Sequence, residues 1–269
     1  MLSPIEKHAV EVLDALAIKS LPVDVFQIAR REKIQLCPIK ADDKFLGRIE
    51  FHPEVNRFLL FYPENRFLQN GRLRFSLGHE LAHYYLPDHH AHLRAGHFHN
   101  SKPGFICEKG MEREADEFSA ALLLPGAEMK ARLRKHNFLT LTQILKLAED
   151  AKTSRECAAI RYSKFTEETC VVVVAQDGKV LYSITSDEAL RRRMGLRKGT
   201  DLPQSALAHS AKSNDTTVDG KADLAAWCPN TFTGGRLWQE VVCLGSNGRS
   251  LTLLSLDAEE KEEDEEESH

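Results

Sequence analysis

The chain has 269 residues, and its formal net charge of −4 splits into −8 for Asp257–His269, nine acids against one lysine, and +4 for residues 1–256. At 42% hydrophobic and 28% charged, the chain has the apolar content for a core, while the tail is too charged and too poor in apolar residues to fold. No apolar h-region opens the chain, no apolar run approaches the roughly 18 residues that span a bilayer, and the six cysteines (Cys37, Cys107, Cys157, Cys170, Cys228, Cys243) form no C-x-x-C pair, which speaks against a secreted protein, a membrane protein and a zinc ribbon and for a cytoplasmic one.

Ser3-Pro4-Ile5-Glu6 predicts a helix start, with Ser3 as N-cap, Pro4 in the first turn and Glu6 closing a capping box. Ile5, Ala9, Val12, Leu13 and Leu16 then recur at helical spacing. A second short helix is expected after Pro22, followed by strands over 34–39, 48–52 and 57–62. From Arg72 the period changes: Leu73, Leu77, Leu81 and Tyr84 or Tyr85 predict a helix to about Leu86, stopped by Pro87. Asp88 to Gly110 reads as a long loop, and the next helix runs from about Met111 to Leu124. Three shorter helices are expected over 128–135, 141–150 and 154–163. Beyond residue 165 the pattern turns to strands, with one hairpin across Asp177-Gly178 and a second across Gly245 to Gly248.

His79-Glu80-Leu81-Ala82-His83 lies inside the helix that begins near Arg72. Residues four apart share a helix face, so both imidazoles can point at one metal ion. Glu80 stands about 100° round the helix from His79, where its carboxylate can reach a water on the metal without becoming a ligand. Gly78 and Ala82 leave room around the motif. A surface helix with two solvated histidines is the bland alternative.

Two imidazoles need a third ligand. His89 stands six residues after His83, the spacing of the H-E-x-x-H-x-x-G-x-x-H pattern, but Leu86 occupies the position where that pattern has its turning glycine. The other source is Glu112-Arg113-Glu114-Ala115-Asp116-Glu117-Phe118, where Glu112 and Asp116 share a helix face. One of those carboxylates can ligate while the other accepts the remaining N–H of a ligating histidine. Both sources stay open on spacing alone.

Arg74-Phe75-Ser76-Leu77-Gly78-His79-Glu80-Leu81-Ala82-His83 and, after a gap, Glu112 to Pro125 (EREADEFSAALLLP) together resemble the ImmA/IrrE family of zinc metallopeptidases. Its members carry a pattern close to R-F-x-x-x-H-E-x-x-H and then E-x-E-A-[ND]-x-F-A-x-x-L-L-M-P. Here Leu124 stands for the usual Met and Ser119 for the usual Ala. The resemblance covers about residues 10–165. It implies a zinc endopeptidase acting in transcription regulation and stress response, which cleaves a helix-turn-helix repressor encoded with it. It also implies one zinc per chain held by His79, His83 and Glu112, with Glu80 as the catalytic base.

The expected fold is α+β: a zincin-like metallopeptidase domain over residues 1–137 with helices on a small sheet, a helical connector over 138–165, a small α+β domain over 166–256 that is sensor-like in some relatives, and the acidic tail 257–269. Tyr84, Tyr85, His97 and His99 are the available oxyanion donors, with nothing in the sequence to choose among them. His89, His90, His92, His97 and His99 could hold a second metal, although such a cluster is more often a solvated loop. Residues 141–162 have the length of a helix-turn-helix, but Arg155 and Arg161 are a thin footprint for nucleic acid. The competing reading is a regulatory module with structural zinc that binds DNA or a repressor without cutting it. Glu80 separates the two, because a structural site gains nothing from a carboxylate beside an open position.

Overall fold

The computed structural model describes residues 2–40, 45–64, 71–96, 110–136, 138–211, 214–231, 235–245 and 248–256. These residues form ten α-helices and two sheets, an α+β architecture divided between two compact units. The first unit gathers the chain up to Glu128 together with Leu147–Cys157; the second gathers Met129–Lys146 and the chain from Ala158 on. No helix among the described residues is long and apolar enough to cross a membrane.

The first unit opens with α1 (Pro4–Ala15), whose start is fixed by Ser3 Oγ accepting the Glu6 N–H at 3.1 Å. Asp24 caps α2 (Val25–Arg31) in the same way, accepting from the Phe26 and Gln27 amides. Strands β1 (Gln35–Ile39), β2 (Arg48–His52) and β3 (Arg57–Pro63) form a sheet of order β1-β3-β2, with β1 parallel and β2 antiparallel to the central β3. Ile49 and Leu60, register partners on one face, join the core that also holds Leu73, Leu77 and Leu81 of α3 (Gly71–Tyr85).

Every residue of α3 from Leu73 to His83 is buried, so this helix is enclosed on all sides. Its polar side chains therefore need partners. Arg74 of the Arg-Phe pair supplies two, donating to the carbonyls of Val23 and Lys152, which ties α3 to the chain on either side.

The expected loop after Pro87 is instead a helix over its first part: α4 spans Pro87–Arg94. Proline stops a helix from the inside, yet at the first helical position its missing N–H costs nothing and its fixed φ suits the turn. Pro87 both ends α3 and starts α4, and α4 buries His89 and Leu93, one turn apart. His97, His99 and Cys107 lie outside the described residues.

Helix α5 (Gly110–Leu123) packs closely on α3. A Cβ on Gly78 would sit 2.5 Å from Ser119 Oγ, and that hydroxyl donates to the Phe75 carbonyl at 2.7 Å. Helices α6 (Gly126–His136), α7 (Leu141–Ala151) and α8 (Arg155–Phe165) follow, within two residues of the predicted spans at every end.

The second unit is built on a five-stranded antiparallel sheet. Its strands are β4 (Cys170–Gln176), β5 (Lys179–Thr185), β6 (Val218–Asp223), β7 (Arg236–Cys243) and β8 (Arg249–Leu256), in the order β5-β4-β8-β7-β6. Asp177 and Gly178 both have positive φ, the geometry of a two-residue hairpin turn whose twist matches the strands. Short helices α9 (Asp187–Arg191) and α10 (Leu224–Trp227) contribute Ala189 and Trp227 to a core with Val171, Val173 and Leu254. Strand β6 is not expected from sequence, since Val-Asp-Gly-Lys-Ala-Asp lacks an apolar alternation; its pairing with β7 holds it. The acidic tail lies outside the described residues.

Candidate metal centre

His79 and His83, one helical turn apart on α3, turn their Nε2 atoms toward each other at 3.1 Å. Glu112, in the first turn of α5, brings Oε2 to 3.4 Å from His79 Nε2 and Oε1 to 3.7 Å from His83 Nε2. One ligand atom from each of the three residues lies within 4.8 Å of the others, a group able to hold a metal ion. Donors about 2.0–2.1 Å from a tetrahedral zinc stand roughly 3.3 Å apart, so these separations suit one such ion. Two imidazoles and one carboxylate also leave a fourth position open, the composition of catalytic rather than structural zinc sites. The close approach of α3 and α5 at Gly78 and Ser119 brings together the two helices that carry the three residues.

The remaining nitrogens are also engaged. His79 Nδ1 lies 2.8 Å from Asp116 Oδ1, so the two acids that share a face of α5 meet the two sides of one imidazole. Burial alone would lower the pKa of His79, but the hydrogen bonds of Asp116 and Glu112 and the charge of Glu80 outweigh it and hold the value at about 10. In physical terms the carboxylates make a site that favours positive charge, which a divalent cation meets in place of the proton.

Glu80 is wholly buried, and its Oε2 accepts the backbone N–H of Ile49 at 2.9 Å. Gly47, just before β2, fits against it: a Cβ there would lie 3.3 Å from Glu80 Cγ. Neither contact is legible in the sequence, because the partners stand more than 30 residues upstream. In an antiparallel pair alternate residues aim their backbone groups outward. Ile49 reaching Glu80 therefore places the outward backbone groups of β2 on the side of the sheet where Glu80 lies.

His89, the other expected third-ligand source, stands outside the three-residue group. Its Nδ1 lies 3.0 Å from His83 Nδ1, the nitrogen opposite the one that faces Glu112, and its Nε2 lies 3.1 Å from Glu114 Oε2. Burial lowers its pKa against the opposing pull of that carboxylate. His90, about 100° round α4 from His89, bonds the Tyr84 carbonyl and Arg94. Tyr84 donates its hydroxyl to Glu32, and its ring packs on Phe58 and Tyr85. Tyr85 stacks on Phe118, and burial raises its pKa. Both tyrosines thus serve the packing around α3.

Comparison with known proteins agrees with this geometry. No curated protein sequence matches the chain significantly. Among solved structures, a Mycobacterium tuberculosis transcriptional regulator matches with a TM-score of 0.63 and 13% identity, over 94% of this chain and 75% of that one, a likeness of fold. Residues 29–163, half of the chain, match the peptidase family model described as the IrrE N-terminal-like domain. That span holds both motifs and the three-residue group: the chain belongs to the IrrE N-terminal-like peptidase family.

Proposed function

We propose that the protein is a zinc-dependent endopeptidase that cuts a regulatory protein, a helix-turn-helix transcriptional repressor. His79, His83 and Glu112 would hold one zinc ion. Bound there, zinc supplies Lewis acidity toward a water molecule and a substrate carbonyl. Glu80 takes the proton of the attacking water and returns it to the leaving amine. Its anchor on the Ile49 amide keeps the carboxylate in one place through both transfers, and this anchored, buried acid beside the three-residue group is the observation that carries the proposal.

The substrate would run extended along the outer edge of β2 beyond the Ile49 N–H, which holds Glu80, and add a strand to the sheet. The repressor as substrate rests on the family resemblance, and a regulatory setting agrees with a structural neighbour that is itself a transcriptional regulator. Residues 166–256 would form a regulatory domain. The protein would act in the cytoplasm, where the five described cysteines, all free thiols, stay reduced.

The test sets zinc-loaded wild type against Glu80→Gln on a repressor encoded beside the gene. We expect the wild type to cleave it and Glu80→Gln to retain one zinc while losing at least a hundredfold in rate, in line with the loss of a general base. Equal cleavage by both would exclude Glu80 as base. Binding of the repressor without cleavage by either would identify a regulatory module with a structural zinc.

A further inference from the structure

Beyond the three-residue group and Glu80, one chain of polar side chains reaches the metal centre from outside. Glu114 Oε2 lies 3.1 Å from His89 Nε2, and His89 Nδ1 lies 3.0 Å from His83 Nδ1. His89 is 1% exposed and His83 2%, whereas the Glu114 side chain is 47% exposed. The chain therefore runs from solvent, through one enclosed imidazole, to the back of a second.

The donors along it follow from what each group can do. A carboxylate only accepts, so the proton between Glu114 and His89 sits on His89 Nε2. Neutral His89 then offers a lone pair at Nδ1, and the hydrogen bond to His83 requires the proton to sit on His83 Nδ1. Neutral His83 is left with its lone pair on Nε2, the nitrogen that faces His79 and Glu112. On the other imidazole Asp116 does the same work directly, accepting from His79 Nδ1. With an ion in place of the proton that His79 Nε2 otherwise offers Glu112, both Nε2 lone pairs would converge on one point.

We propose that His89 and Glu114 are positioning residues that fix the tautomer and ring plane of His83 for zinc. Resting on the reading of His79, His83 and Glu112 as ligands, the proposal gives α4 a purpose: it starts at Pro87 so that His89 faces the back of His83 two residues later. It also separates the two acids of the E-x-E motif by role. Glu112 faces the ion, and Glu114 orients His83 through His89.

The experiment compares zinc affinity, by competition with a chromophoric chelator, for wild type, His79→Ala, His89→Leu, His89→Gln and Glu114→Ala. Long-range proton–nitrogen NMR on the zinc-loaded wild type reads which nitrogen of His83 carries the proton. We expect that proton on Nδ1, and zinc affinity about 10–100-fold weaker in His89→Leu, the usual cost of losing the partner behind a ligand. His89→Gln, whose amide can both accept from His83 and donate to Glu114, should recover most of that loss. Glu114→Ala changes a half-exposed side chain, so it should fold like wild type and still weaken zinc severalfold. Wild-type affinity in both His89→Leu and Glu114→Ala, or a proton on His83 Nε2, would overturn the positioning role while leaving the metal centre standing. Unchanged zinc binding in His79→Ala would overturn the metal centre itself, and the positioning role with it.

Discussion

At the scale of single residues, the centre depends on which side of each imidazole meets which partner. The four-residue spacing of His79 and His83 predicts a shared face, and the structure brings their Nε2 atoms to 3.1 Å. Spacing says nothing about the opposite nitrogens, which are set by Asp116 on α5 and His89 on α4. His89 can be noticed from its distance to His83, but sequence cannot tell a ligand from a residue standing behind one. Asp116 offers a direct test of this support. Asp116→Ala removes both the acceptor and its charge from His79, and zinc affinity measured by chelator competition should fall about 10–100-fold. Asp116→Asn keeps an acceptor oxygen and should lose less. If the alanine variant holds zinc as tightly as wild type, the orientation of His79 comes from its own helix packing alone.

At the scale of elements, the helices and strands with strong periodicity are readable to within a residue or two, because their apolar positions recur at the element's own period. Ile49, Leu60, Leu73, Leu77 and Leu81 all sit in one core, as alternation and helical period require. Helix α4 and strand β6 are not readable, for different reasons. Pro87 carries two contrary signals, and β6 has almost no apolar face of its own. The approach of α3 to α5 lies between these cases: Gly78 marks room, but only the structure shows that Ser119 fills it. Gly78→Ala would force a methyl to within 2.5 Å of Ser119 Oγ, so overpacking should destabilise the protein by about 1–3 kcal/mol in urea unfolding and weaken zinc binding by moving α3 from Glu112. Removing the hydroxyl leaves Ser119 Cβ at 3.4 Å from the new methyl, a tight but tolerable contact. The double variant Gly78→Ala with Ser119→Ala should therefore be more stable than the two single costs added together. Strict additivity would mean that the two helices do not meet at this pair.

At the scale of the whole molecule, the two compact units each have a core of their own, and only one of them contains the candidate metal centre. The charge split first visible in the composition has a counterpart here. The acids that bear on the site, Glu80, Glu112, Glu114 and Asp116, belong to residues 1–256, which carry a net +4. Their clustering on α3 and α5 makes a locally negative site inside a mildly basic chain, something an average charge conceals. Because Glu112 joins α5 to two histidines of α3, an ion there would bind the folded unit and not the unfolded chain. Zinc at 100 times its dissociation constant then stabilises that unit by about 2.7 kcal/mol. Hydrogen exchange should register this as roughly hundredfold slower opening of the amides of α3 and α5 on adding zinc, with the amides of β4 and β8 in the second unit unchanged. Removing the ion with a chelator should reverse the effect. Equal slowing in both units would show that they open together, and no slowing in α3 would mean that zinc binds elsewhere.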